Sequence, residues 1–237
     1  ETTSEQDVGV SDDGLHLYVL YGTTIEQYDM TVAHDLSTAA KANKTLDLSA
    51  EFTDAQGFHL VSGTKLYVIS GPDEKIETYT LSAAWDISTA TADGKSLDVK
   101  TIEDYPTNIW VEPDERYAVI TGSLNDQINR LDMTTPGDIS TGVNDLNNST
   151  FSTRSGFYGD AVGKHLITAS SHAQIILRAM DDLLDLNPLT ASGSENVTGI
   201  SSIIGLCMSP DAEYIYAVEA DGAVEQYTVA EQASELL

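Results

Sequence analysis

The sequence predicts an all-β protein, a β-propeller of five blades with four antiparallel strands in each. Two observations support this prediction. Imperfect copies of one unit of about 50 residues recur along the 237 residues, and each copy contains short β-rich runs separated by turn residues. Four antiparallel strands in a repeat of this length are typical of a propeller blade. A flat solenoid and a two-sheet sandwich are the alternatives, although sandwiches rarely have this period.

Five repeats are predicted at residues 7–55, 56–106, 107–155, 156–204 and 205–237, and together they form a single domain over residues 1–237. A β-branched residue marks the third strand of each repeat, at Ile25, Ile76, Ile128, Ile175 and Val224. An aspartate follows that strand in four repeats, and Asp35, Asp86, Asp138 and Asp185 are 51, 52 and 47 residues apart. This regularity favours a repeat architecture over chance.

Each repeat is expected to contain four strands. Near-continuous apolar runs at 17–19 and 66–68 are typical of strands covered on both faces. The Asp-x-Ser sequence after the third strand predicts a turn, because Asp and Ser side chains form hydrogen bonds with nearby backbone amides. Fourth strands are predicted at 45–48, 96–99, 149–152 and around 197–201. The fifth repeat lacks a clear fourth strand; a closed five-bladed ring is predicted, with a piece of a larger ring or an edge completed by another chain as alternatives.

The second repeat resembles a particular family of propeller repeats. Residues 63–68 read Gly-Thr-Lys-Leu-Tyr-Val, and residues 84–90 read Ala-Trp-Asp-Ile-Ser-Thr-Ala. Ser209-Pro210-Asp211 matches the Ser-Pro-Asp-Gly-Thr-Lys-x-Tyr-Val opening of that family. Such repeats are similar to those in structural and tail-associated proteins of marine bacteriophages and in secreted microbial proteins, and more loosely to YVTN-type surface propellers. The resemblance implies an extracellular or virion setting and carries no catalytic residues; the fourth repeat departs from it most.

The chain is strongly acidic, with 38 Asp and Glu residues against 11 Lys and Arg and a net charge of −27. Nucleic-acid binding depends on Lys and Arg that neutralise phosphates, so nucleic acid is not an expected partner. Membrane insertion is not expected either, because no run reaches the roughly 18 apolar residues of a membrane span. The charge fits a secreted, marine or salt-adapted protein. A chain that starts at Glu1 is expected to be processed or part of a longer one.

One column of the innermost strands has the mixed composition expected of a functional channel lining. Its members are Gly9, His59, Trp110, Tyr158 and Cys207. The aromatic rings and the imidazole make His59, Trp110 and Tyr158 the channel-lining candidates. Drift at a weakly constrained position would give the same column, and this structural interpretation stays open beside the functional one. Cys207, the single cysteine, excludes an internal disulfide and lies in an apolar run, as a core residue would.

No cofactor is predicted, and calcium is the metal considered first, because carboxylates suit a hard cation. Its candidate ligands are Asp12, Asp13, Asn144, Asp145, Asp181 and Asp182. None of them matches the twelve-residue calcium loop, and clustered aspartates on turns are also ordinary turn chemistry. The five histidines, His16, His34, His59, His165 and His172, lack the i, i+4 spacing of a zinc-binding helix. No catalytic residue is assigned, since the sequence contains no Gly-x-Ser-x-Gly nucleophile motif, phosphate loop or dinucleotide fingerprint.

The function expected from the sequence is that of a non-enzymatic structural or interaction propeller of an extracellular assembly, with a phage or archaeal virion as the first choice. Its partners would be other protein subunits, and its location the extracellular space or the virion surface. Asn43, Asn147, Asn148 and Asn196 are candidate glycan acceptors in such a setting. The alternatives are a secreted calcium-dependent enzyme of lactonase or lyase type that uses His59, and a glycan-binding adhesin in which Trp110 and Tyr158 stack on sugars.

Overall fold

The structure, a computed structural model, describes residues 5–123, 127–148, 155–159, 165–170, 174–179, 190–196, 203–210, 213–219 and 222–228. Nineteen strands in this part of the chain form five antiparallel sheets, each built from strands consecutive in sequence. The first strand of each sheet contacts the first strand of the next, and β1 also contacts β17. The sheets therefore surround one channel, and the predicted all-β propeller is confirmed.

The strands have the following bounds. The first blade contains β1 (Glu5–Val10), β2 (His16–Tyr21), β3 (Thr24–Asp29) and β4 (Ala40–Asp47). The second contains β5 (Gly57–Val61), β6 (Lys65–Ser70), β7 (Lys75–Leu81) and β8 (Ala90–Asp98). The third contains β9 (Pro106–Val111), β10 (Tyr117–Gly122), β11 (Ile128–Met133) and β12 (Gly142–Asn148). The fourth contains β13 (Ser155–Gly159), β14 (His165–Ser170), β15 (Gln174–Ala179) and β16 (Thr190–Asn196). The fifth sheet contains β17 (Ile203–Met208), β18 (Tyr214–Glu219) and β19 (Val224–Thr228).

The prediction of five blades with four strands each is wrong in its count. Four sheets have four strands, and the fifth has three among the described residues. The fifth predicted repeat has 33 residues against about 50 in the others, and its described part ends with the third strand, at Thr228. Among the described residues, β19 pairs with β18 and with no other strand.

The predicted Asp-x-Ser turn is confirmed in three blades. Asp35 Oδ1 accepts hydrogen bonds from the backbone N–H of Ser37 at 3.0 Å and from its hydroxyl at 2.6 Å. The same geometry recurs at Asp86 and Asp138, and each aspartate precedes a 3-10 turn, at Leu36–Thr38, Ile87–Thr89 and Ile139–Thr141. Asp185 lies outside the described residues. The side chain thus satisfies a backbone donor that the short turn leaves open.

The predicted fourth strands begin too late in the sequence. Because the 3-10 turn returns the chain directly to the third strand, pairing already starts at Ala40, opposite Asp29, and in the second blade at Ala90, opposite Leu81. A bulge then interrupts each of these strands, with Asn43 (φ 58°) in β4 and Gly94 (φ 70°) in β8. The predicted strands at 149–152 and around 197–201 lie outside the described residues.

The same side-chain contacts join the first blade to the second and the fifth blade to the first. The Tyr18 hydroxyl donates to the carbonyl of Trp85 at 2.8 Å, and the Tyr216 hydroxyl lies 2.8 Å from Nδ1 of His34, which holds the position equivalent to Trp85. In the next layer, the side-chain oxygens of Gln27 and Gln226 accept the N–H of Ile87 and Leu36, at 3.1 and 3.2 Å. This repetition indicates that the fifth blade closes onto the first as an ordinary neighbour.

Candidate functional site

The structure brings the three channel-lining candidates together. The ring centroids of His59 and Trp110 are 6.1 Å apart, and those of His59 and Tyr158 are 5.5 Å apart in an edge-to-face arrangement. They come from the first strands of three blades, which run side by side along the channel. Alternate residues of a strand point to opposite faces, so the three rings, at one repeat position, lie on equivalent faces of neighbouring strands.

A cavity of about 60 Å³ lies beside these rings. Asp12, Pro113 and Pro210, from turns that follow the innermost strands, border it together with the aromatic side chains. This volume has room for a few water molecules and not for a sugar ring. Trp110 itself is only 2% exposed and packs against Gly159, where an added Cβ would lie 2.7 Å from the indole. The channel at this level is thus filled by side chains.

His59 is held as a neutral imidazole by its surroundings. Its Nδ1 accepts the backbone N–H of Val111 at 3.0 Å, which places the ring proton on Nε2. Burial lowers the pKa of His59 from its ordinary 6.5 to about 3, because the aromatic and apolar walls of the channel disfavour an imidazolium. Burial likewise raises the pKa of the Tyr158 hydroxyl, so both groups are uncharged at neutral pH.

The two remaining members of the column are structural. Gly9 leaves space for Phe58, since a Cβ at residue 9 would lie 2.9 Å from its ring. Cys207 is 2% exposed and belongs to the apolar core between the fifth and first blades. Burial raises the pKa of its thiol well above the ordinary value, and a buried thiol of this kind is inert. The predicted core role of Cys207 is confirmed.

A second polar layer, which the sequence did not reveal, lies two residues earlier on the same strands. Asp7 is 2% exposed, and its carboxylate accepts the N–H of Val8 and of Phe58, each at 2.9 Å, and a further backbone hydrogen bond from Leu206. Burial raises the pKa of Asp7 from 3.8 to about 8, and these three donors only partly oppose that rise. One side chain thereby joins the first, second and fifth blades.

Glycines make room for this carboxylate. A Cβ at Gly205 would lie 2.6 Å from the Cα of Asp7, and a Cβ at Gly57 would lie 2.8 Å from the carbonyl oxygen of Thr107. In the aligned sequence this column is Asp7, Gly57, Asn108, Gly156 and Gly205. Two buried polar residues among glycines, on the innermost strand, were the signal that could have identified the layer.

Comparison with known proteins supports the fold alone. No protein-family model and no curated protein matches the sequence. The structure is similar to a proposed 6-phosphogluconolactonase from Bacteroides uniformis (TM-score 0.53, 12% identity, 92% of this chain and 65% of that one). It is also similar to the β-propeller domain of Cps50 (Swd1) from Myceliophthora thermophila (0.54, 13%, 96% and 66%) and to hydrazine synthase from Kuenenia stuttgartiensis (0.53, 12%, 95% and 96%). The fold is a β-propeller. The chain spans just under two thirds of the first two proteins.

The other predicted site residues have structural contacts or lie outside the described residues. Nδ1 of His16 is 2.8 Å from Asp29, and the ring of His34 stacks on Tyr214 with centroids 5.2 Å apart. The side chain of His165 is outside the described part of the structure, and so is the whole of His172.

The calcium candidates that the structure describes have other partners or line the channel. Asp13 accepts hydrogen bonds from the hydroxyl of Ser11 at 2.6 Å and from the N–H of Leu15 at 2.9 Å, as a turn residue does. Asp145 forms an ion pair with Arg130 at 2.7 Å. Asp181 and Asp182 lie outside the described residues. In the part of the chain that the structure describes, no three His, Cys, Asp or Glu side chains converge as ligands of a metal ion.

Two of the four candidate glycan acceptors have described side chains. Asn43 and Asn147 are both exposed, on the outermost strands of the first and third blades. Asn148 and Asn196 end their strands, and their side chains are not among those described. Among the described residues, no helix has the length and apolar character that a membrane span requires.

Proposed function

We propose that this protein is a non-enzymatic interaction module of an extracellular assembly, a virion being the assembly expected from its repeats. The observation that carries the proposal is that side chains fill the channel at the level of His59, in the part of the chain that the structure describes. Where a propeller could hold a ligand, Trp110, Tyr158 and His59 pack against one another and leave about 60 Å³. A pocket for a small molecule needs a larger concave space with converging polar groups. Binding surfaces are then expected on the outer strands and loops.

The electrostatics of the channel support the same proposal. A general base is most effective when its pKa lies near the operating pH. His59, with a pKa of about 3 and its Nδ1 occupied by the Val111 N–H, is a weak base in this position. The enzymatic alternative that assigns catalysis to His59 therefore has little support from the geometry. The glycan-binding alternative requires an exposed indole face, and Trp110 is 2% exposed.

The acidic and aromatic residues that recur in the repeats form contacts between blades. Asp86, for example, accepts from Ser88 with one oxygen and binds Lys44 of the preceding blade with the other, at 3.0 Å. Tyr79 is 2% exposed in the core between the first and second blades. A repeat whose side chains serve mainly to fix the blades produces a rigid scaffold, and its acidic surface keeps that scaffold soluble.

Sedimentation of the native protein tests the proposal. The extracellular fraction of the source culture is run on a density gradient, and the chain is detected with an antibody against the recombinant protein. We expect it in fractions much heavier than its own 25.5 kDa, together with particle proteins, and released from them only by denaturing treatment. Recombinant protein added to the same fraction is the control for adventitious adsorption. If the native chain sediments only as a free monomer, the proposal is wrong.

A further inference from the structure

In the part of the chain that the structure describes, the outer part of the interface between the fifth and first blades has no fourth strand, which the equivalent interfaces do have. β4 covers the outer edge of β3, and β8 covers that of β7. Among the described residues, no strand pairs with the outer edge of β19. Such an edge presents unpaired backbone N–H and C=O groups, which another extended segment can satisfy.

The fourth strands contribute a leucine to the core of the next interface. Leu46 of β4 packs against the cluster that contains Ile87, and Leu97 of β8 packs against the cluster that contains Ile139. Ile87 and Ile139 are both 0% exposed. Their equivalent in the first blade is Leu36, on the 3-10 turn that faces the fifth blade, and it is only half-buried.

Four partly buried side chains pack against the apolar core of this interface, Tyr28, Leu36 and Ala39 of the first blade and Val224 of the fifth, and this set is called the apolar groove. All four side chains are partly exposed. Tyr28 shows the difference most clearly, because its counterpart Tyr79 is 2% exposed beneath a fourth strand. An open cleft of about 420 Å³, bordered by Tyr21 and Glu26, lies on the same face of the first blade.

Among the described residues, Oδ2 of Asp35, next to Leu36, has no counterpart of the lysine that its equivalents bind. Asp86 binds Lys44 and Asp138 binds Lys95, each at 3.0 Å through Oδ2, while Oδ1 serves the 3-10 turn. Asp35 uses Oδ1 in the same way. No cation among the described residues lies within ion-pair distance of its Oδ2.

We propose that an extended segment of a partner polypeptide completes the fifth blade by adding a strand to β19. In β4 and β8 the lysine stands two residues before the leucine, as Lys44-Thr45-Leu46 and Lys95-Ser96-Leu97. The segment therefore carries a basic residue that binds Asp35 and, two positions later, a leucine that fills the apolar groove. This inference rests on the proposed function and specifies the chemistry of the partner.

Peptide binding tests the inference on the full chain. The probe is a fluorescein-labelled peptide with the sequence of residues 40–48, AKANKTLDL. We expect saturable binding by fluorescence anisotropy, together with slower hydrogen exchange at the amides of β19. Replacing the second lysine of the peptide, equivalent to Lys44, by glutamine while keeping the first weakens binding about fivefold, as expected for a partly exposed ion pair of about 1 kcal/mol. In the Leu36→Lys protein, the peptide binds at least about tenfold more weakly, because a charge enters the apolar groove.

A double-mutant comparison identifies the ion pair. Asp35→Asn keeps the oxygen that caps the 3-10 turn and removes the charge, so the lysine and glutamine peptides should bind it equally. Asp86→Asn is the matched control, because Lys44 already occupies that carboxylate; it should leave the fivefold difference intact. Circular dichroism verifies that each variant is folded.

Four results would overturn the inference. The first is no binding at about 1 mM peptide, and the second is a lysine preference that survives Asp35→Asn. The third is strong protection of the β19 amides before peptide is added, which means that another segment of this chain, such as residues 229–237, occupies the edge. The fourth is a dimer in sedimentation equilibrium that the peptide dissociates, which assigns the edge to a second copy. Peptide binding and native sedimentation are independent measurements, so failure of one is distinguishable from failure of the other.

Discussion

Replacing His59 by glutamine should change how the free energy of unfolding depends on pH more than it changes that free energy at pH 7. Glutamine has no titrating proton, and its side-chain oxygen can still accept the N–H of Val111. In the native protein the pKa of His59 falls from 6.5 to about 3 because of burial. A histidine that stays neutral in the folded state and takes up a proton in the unfolded state favours unfolding as the pH falls below 6.5. The glutamine variant lacks this effect.

The magnitude follows from the two pKa values. At pH 7 the imidazole is mostly neutral in both states and contributes little. At pH 5 the unfolded state is favoured by about 1.4 kcal/mol for each pH unit below 6.5, or about 2 kcal/mol, while the folded state gains nothing until the pH approaches 3. We expect His59→Gln to lower the free energy of unfolding by about 1 kcal/mol at pH 7, through lost ring packing. At pH 5 it should equal or exceed the wild type.

Urea denaturation at pH 5 and pH 7, followed by tryptophan fluorescence, measures these four free energies. The other titrating groups, including Asp12 beside the same cavity, are present in both proteins and largely cancel in the difference. The m-value serves as the control, since a variant that loosens the fold would change it. If the destabilisation caused by His59→Gln is the same at both pH values, then the imidazole titrates normally in the folded protein and the description of a desolvated, neutral His59 is wrong.

Three further predictions concern the scaffold. Asp7→Asn should place an amide NH₂ against backbone donors and lower the free energy of unfolding by about 1–3 kcal/mol. Because the pKa of Asp7 in the folded protein is raised to about 8, the stability advantage of the wild type should shrink as the pH rises from 4 to 8, by at most about 1.4 kcal/mol per pH unit. A difference in urea titrations that stays constant over this pH range would contradict the prediction. Gly63→Ala should lower stability by about 2–4 kcal/mol, since φ is +69° and the new Cβ would lie 2.5 Å from Trp85. Gly94→Ala, at φ +70° with nothing within 4 Å of the new Cβ, should lower it by only about 1–2 kcal/mol. Equal losses of stability in thermal unfolding would exclude the steric explanation. Raising NaCl from 0.1 to 1 M shortens the screening length from about 10 to about 3 Å, so with 38 acidic against 11 basic residues the melting temperature should rise, and a fall would show that ion pairs outweigh repulsion.

Local chemistry explains why the blade could be predicted from the sequence. The apolar run at 66–68 forms a fully buried strand, with Leu66, Tyr67 and Val68 each 0% exposed. The turn at Asp86 depends on residues two positions apart, so its hydrogen bonds could be inferred from spacing alone. The start of the fourth strands could not, because the bulges at Asn43 and Gly94 shift the pairing in a way that no residue pattern announces.

The candidate site depends on contacts between distant parts of the chain, and these were only partly visible in the sequence. The alignment of repeats put His59 and Trp110 in one column, and their ring centroids are 6.1 Å apart because neighbouring first strands run side by side. It did not show that the indole would be buried against Gly159, since burial depends on how closely the strands approach. The role of Asp7 could not be inferred for the same reason, because its carboxylate accepts the N–H of Phe58, which is 51 residues away in the sequence.

The third repeat shows that an aligned position can differ in residue type between repeats while the contact between blades is preserved. In the first two blades a large side chain at positive φ, His34 or Trp85, lies over a glycine at the start of the second strand, Gly14 or Gly63. In the third blade the two roles are exchanged, with Glu115 at the glycine position and Gly137 at the other.

The exchange keeps the link between blades. Glu115 Oε2 accepts the hydroxyl of Tyr67 from the preceding blade at 2.6 Å, which replaces the bond from Tyr18 to the carbonyl of Trp85. Either position can vary between repeats because the structural requirement concerns the two positions together. One of the two residues must have a side chain and the other must leave room for it, and the tyrosine hydroxyl of the preceding blade must have an acceptor. Among the described residues, one scaffold contact has no counterpart: Oδ2 of Asp35 has no lysine, and its neighbour Leu36 is hydrogen-bonded to Gln226 of β19, whose outer edge has no partner strand. A partner is to be sought at this position.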